Sequence, residues 1–146
     1  MADGLFFTNQ NKVFDKLIKD LENATDELIN MVDAEMGASI EQMATKAKQK
    51  APAGPNGRLR SSIHPEKTGK LSYHLKADVN YAAYVEFGTG PRAKEYVPLL
   101  DADWQEYAKT FKKPKDGHTP EQPFFYPVII KEFPEMIKKM QDLIKK

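Results

Sequence analysis

Apolar residues recur at Phe14, Leu17, Leu21, Ala24, Leu28, Val32, Met36, Ile40, Met43 and Ala47, in steps of three and four. That spacing lines up on one face only in a helix, so the stripe predicts helix over residues 8–50. Thr8 or Asn9 can cap its start, and Pro52 stops it, because proline disfavours a helical residue before it and lacks an amide donor. An unbroken helix of this length would measure about 60 Å. A compact chain of 146 residues is only about 40 Å across. Either the helix breaks, with Gly37 as the expected place, or part of it packs on a neighbouring subunit.

Beyond Pro52 the signals change. Ala51 to Gly57 (APAGPNG) is a loop by composition, and Arg58 to Ile63 (RLRSSI) has modest strand character. Lys67 to Lys70 (KTGK) reads as a turn. Leu71, Tyr73, Leu75, Ala77 and Val79 then alternate with polar residues, which predicts a strand with one buried and one wet face. In Tyr81 to Gly90 (YAAYVEFGTG) the aromatics suit a strand and the alanines suit a helical turn; both stay open. Residues 91–122 are polar and proline-rich, an expected insertion loop or arm with a short amphipathic stretch near Trp104. Phe124 to Ile130 is densely apolar. Met136, Ile137, Met140, Leu143 and Ile144 mark a final amphipathic helix, whose closing lysines suit the negative end of its dipole. The expected fold class is α+β, with a long N-terminal helix, a small antiparallel β-sheet and a C-terminal helix. One domain covers 1–146, divided into a helix region (8–50), a sheet region (58–90), the insertion (91–122) and a C-terminal block with its helix (123–146).

Composition narrows the chemistry. The absence of cysteine excludes disulfides and thiolate metal clusters and fits a reducing compartment. No apolar run is long enough to span a bilayer, and MADGLFFTNQ lacks the basic and apolar parts of a signal peptide, so no membrane partner and cytoplasmic synthesis are expected. The 22 basic and 21 acidic residues leave no basic excess of the kind that dedicated DNA-binding domains carry. The balance hides an asymmetry. Asp15 to Glu41 holds eight acids and two bases, whereas Lys46 to Lys76 holds eight bases and one acid, Glu66. These blocks are either solvated faces or complementary contact surfaces. A strip of Lys67, Lys70, Tyr73, Lys76 and Tyr81 could at most touch passing DNA non-specifically.

Catalytic and cofactor signatures are missing from the sequence. His64, His74 and His118 lie in separate segments without metal-ligand spacing, and His74 falls on the polar face of its strand. No nucleophile elbow or phosphate loop is present, and no cofactor is expected. Glu86 stands alone between Val85 and Phe87, before a Gly-Thr-Gly turn. A general base is the weaker reading for it. A structural hydrogen-bond acceptor, or half of an ion pair with Arg58 or Arg60, is the stronger one.

Three blocks then occur in a telling order: Ala47 to Ile63 (AKQKAPAGPNGRLRSSI), Tyr81 to Gly90 (YAAYVEFGTG) and Gln122 to Ile129 (QPFFYPVI). Together they resemble the minor tail component family of long, non-contractile-tailed bacteriophages, whose members are described as tail-completion, neck or head–tail joining proteins. The resemblance runs from about Ala47 to the C-terminus and loosely over the long helix before it; residues 91–122 depart from it. It implies a structural protein of the virion tail or neck, made in the host bacterial cytoplasm, not an enzyme. It implies a ring-forming homo-oligomer that meets other tail or neck proteins. A portal-side head-completion adaptor and a DNA-binding accessory protein are the alternatives. Within the blocks, Gly88 serves a backbone turn beside Thr89. Tyr81, Tyr84, Phe87, Phe124 and Phe125 supply core or interface anchors. Arg58 and Arg60 either hold the monomer together or pair with carboxylates across a subunit boundary.

Overall fold

The computed structural model describes residues 4–9, 12–52, 57–88, 97–109 and 121–145. Its elements are β1 (Leu5–Thr8), α1 (Lys12–Asp20), α2 (Asp26–Lys50), α3 (Arg58–Ser62), β2 (Ile63–Gly69), β3 (Ser72–Ala77), α4 (Ala82–Phe87), a 3-10 turn (Val97–Leu99), α5 (Ala102–Lys109) and α6 (Tyr126–Lys145). The fold is α+β.

The predicted N-terminal helix exists in two pieces, and the break is not at Gly37. It falls at residues 21–25. The chain tightens there through bonds from Leu21 N to Ile18 O, Glu22 N to Lys19 O and Ala24 N to Leu21 O. Thr25 restarts the helix: its Oγ1 accepts the Leu28 amide at 3.1 Å, with Asp26 and Glu27 in the positive first turn. What remains of the long helix is α2, about 37 Å for its 25 residues, which fits within the domain. Val32, Met36, Ile40, Met43, Ala44 and Ala47 form its buried face.

Gly37 stays helical and has a packing role. A Cβ there would sit 3.0 Å from the Tyr73 hydroxyl, so glycine lets the hairpin tyrosine lie directly on α2.

The sheet has three antiparallel strands in the order β1-β3-β2. Register places Leu5 and Ile63 opposite Ala77, and Phe7 and Pro65 opposite Leu75. Tyr73, Leu75 and Ala77 turn inward onto α2, as the alternation predicts, while Ser72, His74 and Lys76 lie on the outer face. β1 carries no sequence signal of its own length or alternation. Arg58 to Ser62, expected as strand, is a helical turn instead. Gly57 enters it at φ 61°, and the strand begins only at Ile63. Among the described residues, no helix is long and apolar enough to cross a membrane.

The last helix, α6, lies along α2. Lys46 Nζ meets Glu132 Oε1 at 2.6 Å near the start of α6, and Glu35 lies beside Lys139 and Leu143 near its end, so the two helices run antiparallel. Phe133 stacks edge-on against Phe7 at 5.2 Å and ties α6 to the sheet.

The β2–β3 turn holds the one positive-φ residue among the described non-glycines, Leu71 at φ 60°. That conformation costs an L-residue about 1–2 kcal/mol. Two buried side chains hold it: Asp33 Oδ1 accepts the Leu71 amide at 2.8 Å, and Asn9 Nδ2 donates to the Leu71 carbonyl at 3.0 Å. Asn9 Oδ1 also accepts the Tyr73 amide at 3.0 Å. Asp33 further receives Lys67 Nζ at 2.6 Å and the Tyr73 hydroxyl at 3.2 Å. Burial disfavours the Asp33 carboxylate, but these partners outweigh it and hold its pKa below the ordinary value. Asp33→Ala leaves a buried amide unpaired beneath a strained turn. We expect it to lower unfolding free energy by about 2–3 kcal/mol in urea titrations. Lys67→Ala, at the exposed end of the same cluster, should cost clearly less. Equal losses would contradict the account.

Candidate functional site

Phe124 and Phe125 of the third sequence block meet Glu86 of the second. α4 forms from Ala82 to Phe87, so the alanine-rich start decides the open reading in favour of a helix. Its six residues bury Ala82, Ala83, Glu86 and Phe87. Gly88 ends it at φ 78°, donating its amide to the Tyr84 carbonyl at 2.9 Å, in a backbone region that strains other residues.

Glu86 is fully buried. Its Oε1 accepts the amides of Phe124 at 2.9 Å and Phe125 at 2.8 Å, and its Oε2 accepts the amide of Tyr126 at 3.1 Å. These are unpaired donors at the start of α6, where the helix dipole is positive. A side chain 40 residues away in sequence thus caps the last helix. The neighbouring backbone joins in, with the Gln122 amide donating to the Val85 carbonyl at 2.7 Å.

Burial pushes the Glu86 carboxyl up to about 7, against the pull of the three amides toward the charged form. Both oxygens are occupied and neither reaches solvent, so the group is built to hold backbone and has no open side for a substrate proton. The ion pair expected with Arg58 or Arg60 does not form. Arg60 Nε donates instead to the Ala51 carbonyl at 2.8 Å, closing the loop after α2, and Arg58 lies exposed on α3.

Aromatic rings surround the clamp. Phe87, Phe124 and Phe125 are core residues, Tyr81 packs half-buried against the core, and Tyr84 is half-buried. Thr89 lies outside the described residues. Part of the expected insertion packs here. Trp104 on α5 meets Tyr126 at 5.0 Å, Tyr107 at 5.6 Å and Phe125 at 6.2 Å between ring centroids. The Tyr107 hydroxyl accepts the Phe6 amide at 2.8 Å on the outer edge of β1. Burial raises the Tyr107 phenol to about 12, so it stays neutral in that role. Between β1 and α5 runs an open groove of about 300 Å³, lined by Phe6, Phe7, Thr8, Asp103, Trp104 and Tyr107.

Asn9, expected to cap the first helix, instead binds the backbone of Leu71 and Tyr73, since α1 begins only at Lys12. Trp104 marked only an amphipathic stretch, and Tyr107 and Asp33 were not singled out from sequence. Of these two, Asp33 alone had a signal, as an acid adjoining the apolar stripe at Val32.

The basic strip is largely committed within the chain. Lys67 binds Asp33, Lys70 Nζ reaches Asn30 Oδ1 at 2.6 Å, and Lys76 pairs with Glu66 at 3.1 Å. Tyr73 is buried. Among the described residues, no group of three or more His, Cys, Asp or Glu could hold a metal ion.

The clamp gives a signed pH dependence. The Glu86 pKa is raised on folding, so its contribution is complete below pH 4.5 and is lost as pH rises through about 7. The loss amounts to about 3 kcal/mol at full ionisation. Glu86→Gln should flatten the fall in stability between pH 5.5 and 8.5, measured by urea unfolding. Glu86→Ala should destabilise by about 3 kcal/mol or more, because it strands three amides beside a cavity. A wild-type stability that rises over this range would contradict the assignment.

The comparisons with known proteins add one match. The family model described as "Bacteriophage HK97-gp10, putative tail-component" covers residues 15–88, just over half of the chain. No curated protein and no solved structure matches.

Proposed function

Because this chain belongs to the HK97-gp10-like family of bacteriophage tail components, we propose that it is a tail-completion or neck protein that joins tail to head as a ring of identical copies. The carrying observation is the extent of the family match. It runs from within α1 through α2, the hairpin and α4 to Gly88. The matched range holds α2, the β2–β3 hairpin and Glu86, which are parts of the framework. The chemistry agrees. The most suggestive titratable residue, Glu86, spends both oxygens on backbone amides, which serves rigidity and not proton transfer.

A rigid subunit suits a ring, since closed heterologous contacts demand a fixed angle between copies. The chain meets other tail proteins in that setting, and the virion is its place of work. The DNA-binding alternative is disfavoured by Lys67, Lys70 and Lys76, whose charges already have partners.

Phage grown without this protein should accumulate filled heads and separate tails, visible by electron microscopy. Supplying the protein to such an extract should restore joined particles. Normal particles in its absence would overturn the proposal. Binding to purified tail-tube protein, rather than to a portal–adaptor complex, would place it on the tail side.

A further inference from the structure

Helix α2 carries opposite charges at its two ends. Around its start, Asp20, Glu22, Asp26 and Glu27 are exposed. Around its finish, Lys48, Lys50, Arg58 and Arg60 are exposed, and the Arg60 bond to the Ala51 carbonyl draws α3 against the last turn of α2. Part of this pattern answers the helix's own dipole, which favours acids at the start and bases at the finish. The rest does not. Asp20 and Glu22 precede α2, and Arg58 and Arg60 belong to α3, yet each extends the patch of its own sign. Among the described residues, none of the four acids pairs with a base, and Lys48, Lys50 and Arg58 pair with no acid.

The patches stand at opposite ends of an element about 37 Å long, so they cannot meet within one chain. They can meet between two chains. We propose that the basic end formed by the finish of α2 and by α3 docks on the acidic α1–α2 corner of a second copy, giving a head-to-tail contact. Such a contact is heterologous: each copy keeps one free end of each sign, so association propagates and closes when the rotation allows. The inference rests on the ring reading above and names the surfaces that make it. Electrostatic complementarity of this kind fixes orientation and polarity, and it weakens as salt screens the charges.

The test uses two charge-reversed full-length chains, K48E/R58E and E22K/E27K, none of whose positions is in the core. Light scattering follows mass in about 50 mM and about 500 mM salt, alone and with the tail-tube protein of the same phage. The wild type should associate at low salt and at least about tenfold more weakly at high salt. Each variant alone should associate at least about tenfold more weakly than wild type, and mixing the two should restore association, because the acidic ends of one then face the basic ends of the other. Wild-type assemblies unaffected by either reversal would overturn this contact while leaving the ring intact. A wild type that stays monomeric in every condition would overturn the ring as well. If K48E/R58E loses binding to a duplex DNA fragment while self-association is unchanged, the basic end is a nucleic-acid surface and the proposal fails.

Discussion

A buried carboxyl group without access to water holds the start of the last helix, and much of the domain depends on that grip. Glu86 accepts three consecutive amides at the head of α6. The chain between α4 and α6 runs through more than thirty residues that include the 3-10 turn and α5. Closing a loop of that size is entropically unfavourable, and it needs a contact that is strong and directional. Three amides converging on one buried carboxyl group meet that need. The same contact sets the position of α6 on α2, of Phe133 against β1, and of Phe125 and Tyr126 against Trp104.

Asp33 and Asn9 repeat the device at the β2–β3 turn. Each is a buried polar side chain that binds backbone distant in sequence, and together they hold Leu71 in a conformation it would otherwise avoid. Apolar burial decides that α2 and the hairpin pack, but burial has no direction. The polar side chains decide where along α2 the hairpin turn sits, and Gly37 clears the space for Tyr73 to lie there. A protein that must present fixed surfaces to identical neighbours gains from this sort of specification.

The sequence exposed this architecture unevenly. The apolar stripe from Phe14 to Ala47 was legible because burial on a helix has a period. Its break was not, because Leu21, Ala24 and Leu28 keep that period through the turn, and the Thr25-Asp26-Glu27 start signal lay inside an apparently continuous pattern. The alternation of β3 was legible, but β1 has four residues and no alternation to betray it. For Glu86 the residue stood out and its partners did not. An arginine can be picked from a sequence as a counter-charge, but a backbone amide carries no letter, and only the fold brings three of them together. The charge blocks followed the same course. Their signs were plain, yet Lys67 and Lys70 proved to serve Asp33 and Asn30, while the charges at the two ends of α2 stay exposed.

Native-state hydrogen exchange of the Phe124, Phe125 and Tyr126 amides tests the central interaction most directly. If Glu86 holds them, they exchange only with global unfolding, at rates matching the core of α2, although they lie at and just before the first position of α6, where amides ordinarily fray. Exchange many orders faster, with the middle of α6 still protected, would mean that the start of the helix opens freely and that Glu86 does not anchor it.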